Sequence, residues 1–173
     1  GSCLPKDMKA LINFANTTGV TPTLLNAVED VNTKQLEQII SIIKKRLGGL
    51  TSKKITILGT AFKPNTDDIR DSIAIELIKK LQKRKADVII HDPKAMENTK
   101  RVFGNKIRYG RTVADALSKS QCVILMTQWK QYEKLGNNEF KQMTKKIVID
   151  GRRMLSGKQL DVDYFAIGLG KEK

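Results

Sequence analysis

From residue 53 onward, short apolar segments alternate with helical patterns, and this alternation restricts the fold more than any other feature of the chain. The apolar segments have the usual length of buried strands. Alternating strands and helices are typical of a mostly parallel sheet with helices on both faces, so we predict a Rossmann-like α/β fold. The predicted strands are residues 54–58, 87–91, 106–109, 122–127, 146–150 and 164–167, and the predicted helices are residues 73–85, 113–119 and 131–144.

The sequence before residue 50 is predicted to be helical instead. Apolar residues at helical spacing indicate a short helix over residues 7–19. A second helix is predicted to follow, with Thr21 as its cap and Pro22 at its first position, a favoured place for proline. This second helix is long and carries one apolar stripe, which has to be buried against another surface.

Two surfaces could bury that stripe: a second copy of the same helix, which would form a homodimer, or the rest of the same chain. The pair Gly48-Gly49 is the first helix breaker after Pro22. We therefore predict a helical segment over residues 1–49, which includes the dimerisation helix, and a Rossmann-like domain over residues 50–173.

Charge and composition limit the class of function. The net charge of +14 suggests nucleic acid as a partner, but the basic residues are scattered and aromatic residues make up 5%. We expect no nucleic-acid partner, with a basic nucleic-acid-binding module as the alternative. No apolar run is long enough for a membrane span, so no membrane partner is expected. Two cysteines and no signal peptide indicate the cytoplasm, and one histidine argues against a histidine metal site, so no metal is expected.

The connection after the first predicted strand, residues 59–72, is the strongest candidate for a ligand site. It follows a strand and precedes a helix, which is where anionic ligands bind in parallel sheets. The glycine fingerprint of a dinucleotide site is absent. Lys63 could bind a phosphate as a point charge and Arg70 with two parallel hydrogen bonds. Alternatively, the three aspartates of the loop cap the next helix and pair with these two cations.

Three further positions could carry chemistry. Cys3 lies just before the first predicted helix and close to Lys6, and both features favour a thiolate, although a lone cysteine is often incidental. Asp7 could orient a water molecule or cap the helix. Arg152 follows a predicted strand and could reach a diphosphate or lie on the surface. A self-contained thiol hydrolase is a further alternative, but it lacks a nearby base because His91 is far away in sequence.

Four motifs follow one another along the chain: Cys3-Leu4-Pro5-Lys6-Asp7, residues 59–72, His91-Asp92-Pro93 and Asp150-Gly151-Arg152-Arg153. In this order they resemble the motifs of the UDP-glucose/GDP-mannose dehydrogenase family, and the resemblance covers essentially the whole chain. The resemblance implies oxidation of a sugar C6 alcohol to a carboxylate with two NAD. It favours UDP-glucose as the substrate, with GDP-mannose as the alternative.

The same resemblance implies a role for each candidate residue. Cys3 would be the nucleophile that forms a thioester, and Asp7 would assist the water that hydrolyses it. The cofactor would be contacted by Lys6 and Arg70, and the nucleotide sugar by Phe62, Lys63 and Arg152. The chain begins with Gly1 rather than methionine and lacks the family's amino-terminal NAD-binding domain, so we expect it to be inactive by itself. It also has Ile73 where family members commonly have proline.

Overall fold

A computed structural model describes residues 3–168, in which six strands form one parallel sheet. The strand order is β3-β2-β1-β4-β5-β6, the order of dinucleotide-binding folds, so the predicted Rossmann-like α/β fold is confirmed. The strands are β1 Lys54–Leu58, β2 Asp87–His91, β3 Arg108–Tyr109, β4 Cys122–Leu125, β5 Ile147–Asp150 and β6 Asp163–Ala166. The helices are α1 Cys3–Thr17, α2 Thr23–Leu47, α3 Ile73–Lys83, α4 Met96–Phe103, α5 Val113–Leu117, α6 Lys130–Glu133 and α7 Asn137–Phe140.

Both faces of the sheet are buried because side chains alternate along each strand. In β1, Ile55 and Ile57 pack into a core with the second half of α2 and with α3. Leu58 points to the opposite face, where it packs with residues of α5, α6 and α7. The polar Thr56 also lies on that buried face, and its hydroxyl donates to the carbonyl of Ala116 at 2.7 Å. Helices on both faces of the sheet follow directly from these two apolar surfaces.

One predicted helix was wrong, and one helix of the structure was not predicted. Residues 131–144 form two four-residue helices rather than one, because Gly136 between them is fully extended. The Gly136 amide donates to the Glu139 carboxylate at 2.9 Å, which starts the second of these helices. Helix α4 was not predicted, because its sequence is mostly polar. The predicted strand over residues 106–109 is shorter than expected, since residues 104–106 form a 3-10 turn.

Helix α2 is the long helix that the sequence indicates, but it begins differently. Pro22 rather than Thr21 occupies the capping position, and the Pro22 carbonyl accepts from the Asn26 amide at 3.0 Å. The helix ends at Leu47, and Gly48 adopts the left-handed conformation (φ 70°) that commonly closes a helix. The second half of α2 buries Ile43 and its neighbours against the sheet domain. The apolar stripe is therefore covered within the chain over this half.

The described part of the chain contains no candidate for a membrane-spanning helix and none for a metal site. Within residues 3–168, no helix is both long enough and apolar enough to cross a bilayer. No group of three histidine, cysteine, aspartate or glutamate side chains in the same residues could hold a metal ion. Gly1 and Ser2, which the predicted helical segment includes, lie outside this range, as does the end of the predicted sheet domain after residue 168.

Candidate functional site

The candidate site lies at the carboxyl edge of the sheet, where the strand order reverses between β1 and β4. At such a point the connections after the two strands diverge and leave a crevice, which is where α/β proteins bind ligands. The connection after β1 contains Phe62, Lys63 and Arg70, and the connection after β5 contains Arg152. Four of the seven predicted site residues therefore come from loops at one edge of the sheet.

Gly59 starts the connection after β1 and is tightly enclosed. Its φ of 95° suits glycine, and an added Cβ would lie 2.5 Å from the Cβ of Thr127. The Thr127 hydroxyl donates to the Ala61 carbonyl at 2.6 Å, so the first turn of the connection lies directly against the loop after β4. This close contact fixes the position of the connection after β1 relative to the loop after β4, and these two segments border the crevice.

Phe62 and Lys63 follow this turn and lie at its outer surface. Phe62 is half-buried and Lys63 is exposed, with the Lys63 ammonium 5.3 Å from the centre of the Phe62 ring. The next residues, Pro64 and Asn65, border a shallow groove of about 430 Å³ together with Trp129 and its neighbours. A solvent-accessible cation beside an aromatic ring can bind a phosphate or a sugar hydroxyl.

Arg70 is held by an acidic neighbour instead of being presented alone. Its guanidinium forms two parallel hydrogen bonds to Asp68, with Nη2 at 2.8 Å from Oδ2 and Nε at 3.0 Å from Oδ1. These hydrogen bonds lower the pKa of Asp68 to about 2, so the pair stays ionised at neutral pH. Arg70 lines a second open groove of about 550 Å³, to which Arg101 of α4 also contributes.

The alternative without a ligand predicted that the loop aspartates pair with the cations and cap the next helix, and the structure agrees with the first part only. Asp68 pairs with Arg70, as the alternative without a ligand requires. Helix capping by the aspartates was wrong, because Ser72 occupies the position before α3 and no side chain caps that helix. Of the two grooves, neither is lined by both Lys63 and Arg70. The loop thus presents two separate cationic positions.

Arg152 is placed by the buried carboxylate of Asp150 at the end of β5. Asp150 accepts from the Arg152 amide at 2.9 Å through Oδ1 and from the Tyr164 hydroxyl at 3.0 Å through Oδ2. The Arg152 Nε donates to the Met126 carbonyl at 2.6 Å, which joins the connections after β4 and β5. Arg152 is exposed as a residue, although partial burial of its guanidinium lowers the pKa of that group.

The other predicted site residues lie on α1. Positions 3, 6 and 7 share one helix face, because residues three and four apart are neighbours on a helix. Lys6 and Asp7 are exposed, and the side chain of Cys3 lies outside the described part of the structure. In residues 3–168, the ion pair from α1 is Lys9 to Glu29 of α2, and no hydrogen bond or ion pair joins α1 to the sheet-edge loops. Among the described side chains, Lys6 and Asp7 therefore make no hydrogen bond or ion pair with the sheet-edge residues.

The sequence analysis missed the residue that organises the sheet edge, Asp92. This buried carboxylate directly follows β2, and its Oδ2 accepts from the amides of Thr60 at 2.7 Å and Ala61 at 3.0 Å. The indole of Trp129 donates to the same oxygen at 3.2 Å. The motif His91-Asp92-Pro93 does not reveal this role in the sequence, because an aspartate after a strand can equally form a local turn.

His91, next to Asp92, is a core residue. The Tyr132 hydroxyl donates to the His91 carbonyl and lies 2.9 Å from its Nδ1, so Nδ1 carries the proton and donates to the hydroxyl oxygen. Burial lowers the pKa of His91, which keeps the imidazole neutral. Cys122 also lies inside the core, and burial raises the pKa of its thiol.

Comparison with known proteins identifies both parts of the chain. Residues 56–157 match the UDP-binding domain of the UDP-glucose/GDP-mannose dehydrogenase family, and residues 1–34 match the central domain of that family. The chain is 42% identical over 164 residues to the UDP-glucose 6-dehydrogenase AglM of Haloferax volcanii, an alignment that covers 95% of this chain and 37% of that protein. It is 31% identical to the UDP-glucose 6-dehydrogenase TuaD of Bacillus subtilis, over 97% of this chain and 37% of that protein.

A solved structure shows the same fold. A UDP-glucose dehydrogenase from the hyperthermophilic archaeon Pyrobaculum islandicum superposes with a TM-score of 0.85 at 36% sequence identity. The superposition covers 95% of this chain and 37% of that chain. The chain thus spans somewhat more than a third of the length of the relatives that it matches.

Proposed function

The chain belongs to the UDP-glucose/GDP-mannose dehydrogenase family, and on that premise we propose that it is the carboxyl-terminal part of a nucleotide-sugar 6-dehydrogenase that oxidises UDP-glucose to UDP-glucuronate. The observation that carries this proposal is the cationic carboxyl edge of the sheet, where Lys63 and Arg152 flank the connection after β4. A nucleoside diphosphate carries several negative charges, and cations beside backbone amides at such an edge suit it.

In this proposal the sheet edge binds the nucleotide sugar and α1 supplies the reacting groups. Phe62, Lys63 and Arg152 hold the nucleotide sugar. The Cys3 thiolate attacks the aldehyde formed by the first oxidation, and the resulting thiohemiacetal is oxidised to a thioester, which water hydrolyses. Asp7 lies one helical turn after Cys3, at the spacing needed to assist that water.

NAD is the hydride acceptor that the family implies, and the described residues fit a small part of it. Arg70 is 85% exposed and keeps its Nη1 outside its pair with Asp68, so the N–H groups of Nη1 remain available to donate to a pyrophosphate. Lys6 on α1 is the second residue proposed to contact the cofactor. The connection after β1 has no glycine fingerprint and therefore cannot cradle the pyrophosphate. The rest of the cofactor would bind to another domain of the longer protein. NAD would supply the oxidising chemistry, with one NAD molecule taking one hydride in each of the two oxidation steps.

Substituting Lys63 tests the nucleotide site. The chain alone is expected to bind UDP and UDP-glucose without NAD-dependent turnover. Lys63→Ala should weaken UDP binding roughly tenfold or more, because a charged hydrogen bond to phosphate is lost. Isothermal titration calorimetry of both variants measures this difference.

Lys83→Ala is the matched control for that measurement. It removes the same charge from the exposed end of α3, away from the proposed site, and should leave the UDP affinity unchanged. No heat from the wild-type chain, or equal affinities for the Lys63 and Lys83 variants, would contradict the site assignment.

We also propose that the chain forms a homodimer through α1 and the first half of α2. Leu24 is 76% exposed, Val31 55% and Phe14 of α1 64%, so apolar side chains at helical spacing lack cover there. Sedimentation velocity should show a dimer for the wild-type chain and a monomer for the variant with Leu24→Glu and Val31→Glu. Lys44→Glu, at an exposed position near the end of the same helix, changes the charge by the same amount and is the control for a charge change alone. A monomeric wild type would rule the dimer out.

A further inference from the structure

Asp92 holds together three connections at the sheet edge. Its side chain is almost completely buried, with 2% exposed. Its Oδ2 accepts from the Thr60 and Ala61 amides and from the Trp129 indole. Its Oδ1 accepts from the amides of Lys94 and Ala95 at 2.9 and 2.8 Å. The carboxylate therefore ties the loops after β1 and β4 to its own loop before α4.

The hydrogen bonds that Asp92 accepts from the connection after β1 come from the two residues directly before those proposed to bind the nucleotide. Thr60 and Ala61 are the last residues before Phe62 and Lys63. Further bonds hold the same turn: the Thr99 hydroxyl of α4 donates to the Thr60 hydroxyl at 2.9 Å, and Thr127 donates to the Ala61 carbonyl. The position of Lys63 relative to the crevice is therefore set by a network in which Asp92 makes the most contacts.

Every hydrogen bond to the Asp92 side chain comes from an N–H donor, and this chemistry requires a carboxylate. A carboxylate has two accepting oxygens and no proton to donate. An asparagine would retain one accepting oxygen and turn an NH₂ group towards donors on the other side, whichever way it is oriented. The negative charge also compensates the amides before α4, which carry partial positive charge. Asp92→Asn thus changes almost no volume but destroys half of the network.

We propose that Asp92 is a positioning residue for nucleotide binding, which fixes residues 60–63 so that Phe62 and Lys63 face the ligand. This inference rests on the proposed function of the sheet edge. It assigns Asp92 no contact with the ligand, and it gives Trp129 a supporting part as one of the three donors to Oδ2.

A double-mutant cycle separates positioning from a general loss of stability. In the wild-type background, Lys63→Ala is expected to weaken UDP binding roughly tenfold or more. In the Asp92→Asn background, Lys63 is no longer held in place, so the same substitution should change the affinity less than about twofold. Calorimetry is performed below the melting temperature of every variant, as established by circular dichroism.

Leu81→Ala and Trp129→Phe are the controls. Leu81 is buried on the other face of the sheet, so its variant is destabilised but should retain the full effect of Lys63→Ala. Trp129→Phe removes one donor of five and should weaken the coupling only in part. An effect of Lys63→Ala that is the same in the wild-type and Asp92→Asn backgrounds would overturn the proposal.

Amide hydrogen exchange distinguishes failure of this inference from failure of the proposed function. The Thr60 and Ala61 amides should exchange roughly tenfold or more faster in Asp92→Asn, because each loses its acceptor. A wild-type chain that does not bind UDP would overturn the proposed function and the nucleotide part of this inference. In that case, faster exchange in Asp92→Asn would still support the role of Asp92 in fixing residues 60–63, whereas unchanged exchange would overturn this role as well.

Discussion

Gly59→Ala is expected to lower the free energy of unfolding by about 3 kcal/mol and to abolish UDP binding by the chain. An added Cβ would lie 2.5 Å from the Thr127 Cβ and 2.7 Å from the Thr127 backbone nitrogen, so the backbone itself has to move. The positive φ of 95° adds a conformational penalty for any residue with a side chain. Since Thr127 holds the Ala61 carbonyl, the shift also displaces Phe62 and Lys63.

Gly157→Ala is the matched control, because it isolates the conformational penalty. Gly157 has a φ of 81° but no atom within 4 Å of an added Cβ. Its alanine variant should lose only about 1 to 2 kcal/mol and keep its UDP affinity. Urea denaturation of both variants gives the two free energies, and their difference reports the contact with Thr127. Equal losses for the two variants would show that the connection after β1 can move away from the loop after β4.

Cys3→Ser is expected to reduce UDP-glucuronate production by about 10³-fold or more in the full-length protein that carries this chain. A serine hydroxyl needs a general base to become nucleophilic, whereas a cysteine is partly ionised near neutral pH. The proposed thioester cannot form without that nucleophile. Coupled measurement of NADH and UDP-glucuronate follows both oxidation steps, and mass spectrometry of the quenched protein detects the covalent intermediate on wild-type Cys3.

Cys122→Ala is the control for loss of a thiol elsewhere in the chain. Cys122 is fully buried in β4, and burial raises the pKa of its thiol, so it should react slowly with iodoacetamide and contribute nothing to turnover. The Cys122 variant should retain activity close to wild type. Activity of Cys3→Ser comparable to wild type, or labelling of Cys122 as fast as that of Cys3, would rule out the thioester mechanism.

The fold could be predicted to the extent that it is encoded by local apolar patterns. The strands β1 and β2 have the predicted bounds, because each is a short segment rich in β-branched apolar residues. Helix α4 could not be predicted in this way, since Met96–Phe103 is mostly polar. The Asp92 carboxylate accepts from the Ala95 amide directly before this helix, and Thr99 of the helix bonds to the distant Thr60 hydroxyl. The same applies to Gly136, whose extended conformation divides a pattern that looks continuous in sequence.

The candidate site was predictable in its charges but not in its connections. Lys63, Arg70 and Arg152 stand out in the sequence as cations after strands, and the structure places all of them at the carboxyl edge. That Asp92 accepts hydrogen bonds from the loops after both β1 and β4 depends on chain segments that meet only in the folded protein. The pairing of Arg70 with Asp68 is local, two residues apart, and was one of the two alternatives that the sequence allowed. The roles of these cations in binding remain predictions, to be decided by the experiments above.

The sequence by itself determined the alternation of strands and helices, the apolar faces that cover the sheet and the motifs that indicate a sugar-nucleotide dehydrogenase. These properties depend on residues close together in the chain, and they need no knowledge of distant contacts. Only the tertiary structure decided which loops meet at the sheet edge, which carboxylates are buried there and which cations remain exposed. Hydrogen bonds such as those from Thr60 and Trp129 to Asp92 join residues far apart in sequence, and only the folded sheet, with β1 between β2 and β4, brings those residues within bonding distance.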